Sequence, residues 1–481
     1  MSLSFNGIRD GLQRFLTMQK LQSRETLESS SLLYHYRVEG ADEKSRVHLR
    51  LDPDGHGTLI VNANRIMHLN PTAALMAYLL LEKAPEAESV SAIRKQYHVS
   101  ADQARGDLRT IQTQLSELIR PDGACPIHEL ELETLAPFSA RPSAPYRMDL
   151  AITYRCNNDC AHCYNLEHPS TPLRTGPSLT PTPMLGASPL PKDEGQRVRE
   201  LSTDEWKQVL DKTWALGIPH VVFTGGEPTL RDDLPALVAH AEANGQITGL
   251  NTNARRLSDP KFVETLVAAG LDHVQITVES CEADIHNQMV NANAHAQTIA
   301  GLKNALKSPL FVMTNTTMLR NNVHTIPATL DFLADLGVPT IGLNALIYSG
   351  HGATVGTGLP ESELTPLLET ARLKTELRGQ RLIWYTPTQY CGFDPMALDL
   401  GVKGCTAALY NMCVEPNGDV LPCQSYYRPV GNLLRDDWDA IWNHELSVKL
   451  RERKGLPAKC NDCVLLAECG GGCPLQFETT N

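Results

Sequence analysis

The chain has 481 residues, of which 43 are Lys or Arg and 55 are Asp or Glu, so its formal net charge at pH 7 is −12. Hydrophobic residues make up 42% of the chain and charged residues 20%, which excludes a disordered or fibrous protein. The acidic balance argues against a nucleic-acid partner, because binding to phosphates depends on Lys and Arg. The sequence has no apolar run long enough for a membrane span and no secretory signal at its N-terminus. We therefore expect a cytoplasmic protein of about two to four domains.

The first predicted elements form a small domain after an N-terminal helix or arm over residues 1–34. Ser45–Pro53 and Gly57–Asn70 alternate apolar and polar residues around a Pro-Asp-Gly turn, which predicts a β-hairpin. Helical patterns follow and predict a winged-helix-like α+β domain over residues 35–122. These patterns cover residues 72–83, Val90–Tyr97 and Ala101–Ile119.

Residues 123–145 are rich in Pro and predict a linker before a larger α/β core over residues 146–350. In this core, apolar runs alternate with amphipathic helices, a pattern typical of a parallel sheet that is open or curved into a barrel. A Pro/Ser/Thr-rich insertion at residues 166–200 fits a surface loop and a functional lid equally well. A bridging helix and strand are expected over residues 351–390. The predicted core strands are 149–154, 220–226, 247–253, 273–279, 310–317 and 341–348.

The thirteen Cys residues are the most informative feature of the composition. An odd number of Cys without a secretory signal favours metal or iron–sulfur ligation over disulfides. Directly after the first core strand, Cys156, Cys160 and Cys163 form a C-x3-C-x2-C motif. Three thiolates at this spacing can each bind one iron of a cubane cluster and leave the fourth iron open. A zinc site completed by His162 is the disfavoured alternative, since structural zinc sites close four ligands tetrahedrally.

The Cys motif and the Gly225-Gly226-Glu227-Pro228 segment, one βα unit later, resemble the radical S-adenosylmethionine (radical SAM) enzymes. The resemblance implies a partial (β/α)6 barrel, a 4Fe-4S cluster and S-adenosylmethionine, which is cleaved to a 5′-deoxyadenosyl radical. It also implies a ring beside the adenine at His162 and recognition of the methionine amino group by Gly225–Pro228. Turn-capping roles remain the alternative for the other polar residues that follow the strands. These implied cofactor-binding residues are Asn251, Asn253, Glu279, Ser280 and Asn315.

The C-terminal residues 391–481 contain eight Cys and resemble the SPASM domain, which carries auxiliary iron–sulfur clusters. The resemblance implies a first auxiliary cluster on Cys405, Cys423 and Cys473, with Cys391 or Cys413 as fourth ligand. It implies a second on Cys460, Cys463 and Cys469. The family usually has one more Cys after Cys473, so the second cluster would use Cys413, a ligand such as Asp or an open iron, or would be absent. A pair of zinc ribbons is the alternative for this segment.

The N-terminal domain resembles the small peptide-binding chaperone of pyrroloquinoline quinone biosynthesis. The resemblance implies that an edge strand, which we expect at Gly57–Asn62, captures a leader peptide by β-augmentation. A DNA-binding winged helix and a degenerate dimerisation domain are the alternatives. DNA binding needs clustered basic residues, whereas Arg94, Lys95, Arg105 and Arg109 alternate with acidic ones.

Together these resemblances identify a radical SAM peptide maturase that forms thioether or carbon–carbon crosslinks, as in the maturation of a quinohaem amine dehydrogenase subunit. The expected partners are a precursor peptide or small protein and an electron donor such as flavodoxin or ferredoxin. One alternative is oxidation of Cys or Ser to formylglycine, as in sulfatase maturases. An alternative of another class is a non-catalytic regulator built from zinc ribbons and a winged helix. The sequence predicts no catalytic acid or base.

Overall fold

The computed structural model describes residues 32–39, 44–52, 54–62, 65–119, 142–165 and 199–478. The predicted N-terminal arm before residue 32, most of the linker and most of the 166–200 insertion lie outside these residues. The described chain forms two compact units. The first comprises the residues up to Tyr146 with the short segments Asp211–His220 and Gly245–Ile247, and the second comprises the remainder.

The first unit contains a four-stranded antiparallel sheet in the order β1-β2-β3-β4. The prediction of a single hairpin is wrong, because β1 precedes it and Gly57–Asn70 folds into two strands rather than one. The chain reverses at Asn62, whose φ of 49° lies in the left-handed region that Asn tolerates. The strands are β1 (Leu32–Glu39), β2 (Lys44–Leu51), β3 (Gly57–Val61) and β4 (Arg65–Leu69).

The placement of β3 corrects the expected peptide-binding edge. Strand β3 pairs with β2 on one side and with β4 on the other. Its backbone donors and acceptors are therefore used within the sheet, so Gly57–Asn62 is not an edge strand. Among the described strands of this sheet, β1 and β4 each have a single neighbour.

Three helices follow the sheet, as predicted. The side chain of Asn70 caps the first helix by accepting a hydrogen bond from Ala73 N at 2.9 Å, and Pro71 occupies its first turn. The apolar faces of the three helices share one buried core with the sheet. This core includes Leu49, Leu75 and Ile93. The helices are α1 (Pro71–Leu81), α2 (Glu86–Tyr97) and α3 (Ala101–Ile119).

The second unit is built on a ten-stranded sheet in the order β11-β10-β9-β8-β7-β6-β5-β12-β13-β14. Strands β7 to β11 run parallel to one another, and β12 runs parallel to β5. The first strands of this sheet are β5 (Arg147–Thr153), β6 (His220–Gly225), β7 (Ile247–Thr252), β8 (His273–Thr277), β9 (Phe311–Thr317), β10 (Thr340–Asn344) and β11 (Arg381–Trp384).

A helix follows each of the six strands β5 to β10, so the predicted α/β core with six βα units is confirmed. The seventh strand, β11, belongs to the bridging segment that the sequence predicts. The helices of this core are α4 (Thr203–Ala215), α5 (Leu234–Asn244), α6 (Pro260–Ala268), α7 (Ala283–Val290), α8 (His295–Leu306), α9 (Ile326–Asp335) and α10 (Leu364–Leu377).

The Cys-rich C-terminal segment extends the same sheet, because its first strand pairs in parallel with β5 and the next two follow as antiparallel strands. These strands are β12 (Asn411–Val414), β13 (Asp419–Leu421) and β14 (Gly431–Asn432). Four short helices complete the segment: α11 (Trp438–Trp442), α12 (Glu445–Arg451), α13 (Leu466–Cys469) and α14 (Pro474–Glu478).

Burial alternates along β8 and β9 and distinguishes the two faces of these strands. On β8, Val274 and Ile276 are fully buried, whereas Gln275 and Thr277 are only half-buried. Asn315 on β9 has the same half-buried character and pairs with Thr277. At these two strands one face of the sheet thus packs into the core, and the other is polar and partly reached by solvent. No helix in the described ranges is long and apolar enough to cross a membrane.

Candidate active site

The C-x3-C-x2-C motif lies on the loop that leaves the carboxyl end of β5, where ligands bind in parallel α/β folds. Cys156, Cys160 and Cys163 are all half-buried. Burial raises the pKa of Cys156 to about 12, with a further contribution from the charge of Glu227, and burial raises the pKa of Cys163 to about 11. Burial also raises the pKa of Cys160, and the charges of Cys163 and Cys156 raise it further. The three Cys residues therefore lie close to one another, and Cys binds metal as the thiolate.

The spacing of these thiols bears on the zinc alternative. Ligands of one tetrahedral zinc lie about 3.8 Å apart, given a Zn–S bond of about 2.3 Å. Among the described residues, no three His, Cys, Asp or Glu side chains converge in the way that a single ion requires. Thiolates that bind separate irons of a cubane cluster stand further apart than the ligands of one zinc ion.

The two glycines of the GGEP segment fix the cysteine loop through backbone contacts. Gly226 N donates to Thr153 O at 2.8 Å, and Glu227 N donates to Arg155 O at 2.8 Å. A Cβ on Gly226 would lie 2.5 Å from Arg155 O, and one on Gly225, whose φ is 129°, would lie 2.1 Å from Thr153 O. Glycine is required here because the end of β6 runs directly against the start of the loop.

Glu227 is fully buried, and the chain itself uses both of its carboxylate oxygens. Oε1 accepts from the Thr229 hydroxyl at 2.6 Å and the Thr252 hydroxyl at 2.7 Å, while Oε2 accepts from Asn253 N at 2.8 Å. Burial raises the pKa of Glu227, although these hydrogen bonds act in the opposite direction. The carboxylate thus joins the end of β6 to the end of β7, and Pro228 begins a short 3-10 turn beside it.

His162, beside the last Cys of the loop, is held by a buried carboxylate. Its Nε2 lies 3.0 Å from Glu279 Oε1, and Glu279 is only 1% exposed. The second oxygen of Glu279 accepts from Thr317 N at 3.0 Å. These contacts fix the imidazole ring against the carboxyl ends of β8 and β9, which suits the predicted role of a ring that packs on a ligand.

The remaining predicted cofactor-binding residues have different surroundings. Asn315 Oδ1 is buried without a hydrogen-bond partner among the described residues, so a ligand donor could satisfy it. Asn253 Nδ2 donates to Asn157 Oδ1 at 2.7 Å and so supports the cysteine loop, while Asn251 is half-buried on β7. Ser280 is buried and bonds to Thr325 and to the backbone of Glu282, which is a local structural role.

The cysteine loop and the polar ends of β6 to β9 thus meet at one edge of the sheet. The open donor set of three thiols, the unsatisfied Asn315 oxygen and the fixed His162 ring fit a 4Fe-4S cluster with a bound organic ligand. The assignment of individual side chains to that ligand stays a prediction.

A group of tyrosines and one carboxylate lies beside the cysteine loop and was not predicted. The Tyr154 hydroxyl donates to Glu415 Oε1, which joins the ends of β5 and β12. The Tyr427 hydroxyl donates to Asn165 Oδ1 at 2.9 Å, and Asn165 Nδ2 donates to Gly225 O at 2.9 Å. Residues 261 or more positions apart meet here, and no motif links them. The only available signal is that Tyr154 and Glu415 each directly follow an apolar run.

The C-terminal cysteines form two groups in the structure. Burial raises the pKa of Cys423, and the charges of Cys405 and Cys473 raise it further, so these three residues lie near one another. Their role as ligands of the first auxiliary cluster stays a prediction. Cys413 is fully buried on β12, where its thiol contacts Val414 O and its charge interaction extends to Cys423.

Cys463 and Cys469, which belong to the second predicted set, lie near Cys460, and so does Cys391; the cluster that each would serve stays a prediction. Burial, followed by the charge of Cys469, raises the pKa of Cys460, and Cys391 and Cys463 raise it further. Cys281 has no part in either group; its backbone N–H donates to the Thr329 hydroxyl at 3.0 Å.

Comparison with known families supports this geometry. Residues 150–333 match the radical SAM superfamily, and residues 405–464 match SPASM, an iron–sulfur cluster-binding domain. A PqqA peptide cyclase of Rhodopseudomonas palustris is 32% identical over 58% of this chain and 67% of its own length. A PqqA peptide cyclase of Bradyrhizobium diazoefficiens is 29% identical over 69% of this chain and 82% of its own length.

Among solved structures, Streptococcus suis SuiB bound to its precursor peptide SuiA has a similar fold. The TM-score is 0.62 at 16% sequence identity, and the match covers 92% of this chain and 96% of that one. At this identity the likeness concerns the fold, and it extends beyond the residues that the two family matches cover.

Proposed function

The chain belongs to the radical SAM superfamily and carries an iron–sulfur cluster-binding SPASM domain, and from this premise we propose that it crosslinks a peptide or small protein through a thioether or carbon–carbon bond. The observation that carries the proposal is that two groups of Cys residues lie on segments attached to the same β-sheet. The loop of Cys156–Cys163 leaves β5, and the Cys405 and Cys423 thiols flank β12, which pairs with β5.

The residues present fit the cofactors that this reaction needs. Cys156, Cys160 and Cys163 would hold the first 4Fe-4S cluster, and His162 and Asn315 would position S-adenosylmethionine. When bound, this pair supplies hydrogen-atom abstraction from a carbon of the substrate, and an auxiliary cluster supplies the acceptor for the electron that crosslinking releases. The half-buried polar face around Thr277 and Asn315 is open to solvent, as entry of a peptide requires.

Crosslinking also releases a proton from the partner atom, and we propose that Glu415 accepts it. Its Oε1 accepts from the Tyr154 hydroxyl at the mouth of the cysteine loop, and Tyr427 lies next to Tyr154. A carboxylate within hydrogen-bonding reach of the reacting group is the requirement for a general base. We assign this role to Glu415, with Tyr154 as its positioning residue.

Two relatives of this chain are cyclases of the PqqA peptide, and the structurally similar SuiB was solved with its precursor peptide. Both findings support a peptide substrate. We assign precursor capture to the N-terminal domain. The electron donor is proposed to be a flavodoxin or ferredoxin, because reduction of the first cluster takes one electron at a time.

The test is co-expression of the enzyme with short peptides encoded beside its gene, followed by mass spectrometry of each peptide. A crosslink removes two hydrogen atoms and leaves no free carbonyl. The same peptides co-expressed with the Cys156→Ala variant serve as the control. A product that reacts with a hydrazide would instead show the formylglycine of the second candidate, and unmodified peptides with zinc in the purified protein would favour the regulator.

A further inference from the structure

We propose that Cys391, Cys460, Cys463 and Cys469 together bind the second auxiliary iron–sulfur cluster, so that four thiolates ligate it and none of its irons is open. The inference rests on the proposed function only in taking auxiliary clusters to be present. It assigns Cys391, which comes from the segment after β11 and is far from the other three in sequence.

The segment before Cys391 is docked onto the loop that carries the other thiols. Tyr390 N donates to Cys469 Sγ at 3.4 Å, and Cys469 Sγ lies 3.7 Å from Thr388 O. Gln389 Nε2 donates to Gly471 O at 3.3 Å and its Oε1 accepts from Lys459 Nζ at 2.8 Å. These contacts place the residue after Tyr390 directly beside the Cys469 thiol.

The turn that presents Cys391 is well fixed. Gly392 N and Phe393 N both donate to Gln389 O, at 2.8 and 2.9 Å. Phe393 packs edge-on against Trp384 at the end of β11, with ring centroids 5.9 Å apart. Thr388, Gln389 and Tyr390 are all buried, whereas Cys391 at the tip is exposed. Because free Cys is usually buried, a rigid turn that holds one outward next to three other thiols indicates a ligand.

Iron–sulfur clusters are held by Cys thiolates, and four Cys are enough to ligate every iron of a 4Fe-4S cluster. A cluster with four thiolate ligands has no iron left for a substrate atom. The second auxiliary cluster therefore transfers electrons, and any iron that binds substrate belongs to another cluster.

The first experiment is alkylation of the full chain with iodoacetamide, comparing anaerobically reconstituted protein with protein stripped of iron. Cys391 and Cys463 are both exposed, so the reagent reaches both when no cluster covers them. We expect peptide mass spectrometry to show alkylation of both in the stripped protein and almost complete loss of both signals in the reconstituted protein.

Two results would overturn the inference. Alkylation of Cys391 with protection of Cys463 would show a cluster without Cys391, and alkylation of both in reconstituted protein would show that the second cluster is absent. Release of 5′-deoxyadenosine and of product from the same preparation is read separately, so failure of the proposed function is distinguished from failure of this ligand assignment.

A pair of variants gives a second readout. Cys391→Ala is expected either to lower the iron content or, after mild oxidation, to add the electron paramagnetic resonance signal of a three-iron cluster. Cys281→Ala is the matched control, because this half-buried Cys lies outside both groups. Iron content and spectra that are equal in the two variants would contradict the assignment, as would a loss of Cys463 protection in Cys413→Ala but not in Cys391→Ala.

Discussion

Substitution of Gly226 by Ala tests how the end of β6 supports the cysteine loop. The new Cβ would lie 2.5 Å from Arg155 O and 2.6 Å from Tyr154 O, and both of these are backbone atoms. A contact of about 3.4 Å is ordinary, so the loop must retreat by about 0.9 Å, which is overpacking that a rigid site does not absorb.

The magnitude follows from the two hydrogen bonds at this contact. Gly226 N–Thr153 O and Glu227 N–Arg155 O are both 2.8 Å long, and a retreat of that size breaks them. Each bond contributes about 1 kcal/mol, and overpacking costs about 1–3 kcal/mol. We therefore expect Gly226→Ala to lower the free energy of unfolding by about 3–5 kcal/mol and to displace the thiols of the loop.

The assay is urea unfolding of iron-free protein, together with iron content and 5′-deoxyadenosine release after reconstitution. Gly106→Ala is the matched control, since Gly106 lies in α3 with no atom within 4 Å of the added Cβ, and this change should stabilise the helix by about 0.5–1 kcal/mol. If Gly226→Ala unfolds at the same urea concentration as the wild type and releases 5′-deoxyadenosine at the same rate, the support role of β6 is refuted.

Three further predictions follow from other parts of the molecule. Cys469→Ala should keep 5′-deoxyadenosine release but block crosslinked product, and normal product would remove the second auxiliary cluster from the mechanism. Val38→Pro on β1, the longer of the two edge strands, should weaken precursor binding in a pull-down at unchanged iron content. Ile66→Pro on the edge β4 is its control, and the reverse pattern would assign capture to β4. Burial lowers the pKa of His48 from 6.5 to about 3, so only the unfolded state takes up its proton between these values and stability falls as pH drops below about 6.5. In urea unfolding at a series of pH values, His48→Gln should reduce the loss of unfolding free energy by up to about 1.4 kcal/mol per pH unit. If the wild type and the variant lose stability equally as the pH falls, the argument from burial is contradicted.

The strands of the second unit can be predicted from the sequence because each apolar run is bounded by clear turn residues. The strands of the first unit are predicted less accurately. The prediction missed β1 although Ser29–Ser31 precede it and Gly40 and Asp42 follow it. The reversal at Asn62 depends on a left-handed backbone that a pattern of alternating residues does not reveal. The expected edge at Gly57–Asn62 failed for this reason, since the pairing of β3 with β4 begins at that turn.

The three Cys proposed to bind the first cluster can be recognised from the sequence because they lie within one short loop, where spacing determines geometry. The position of Cys391 cannot be predicted from spacing. It depends on a turn that contacts residues about 70 positions later in the chain, for example through the hydrogen bond from Lys459 to Gln389. The pairing of Tyr154 with Glu415 has the same cause: parallel pairing of β5 with β12 brings together residues with no local signal.

The most direct test of the account is 5′-deoxyadenosine release from anaerobically reconstituted protein given dithionite and S-adenosylmethionine. Wild type and Cys281→Ala are predicted to release it, and Cys163→Ala is predicted to release none, because its loop lacks one of the three thiolates. Release by Cys163→Ala at the rate of the wild type, or no release by any of the three with zinc in place of iron, would contradict the assignment of the Cys156–Cys163 loop.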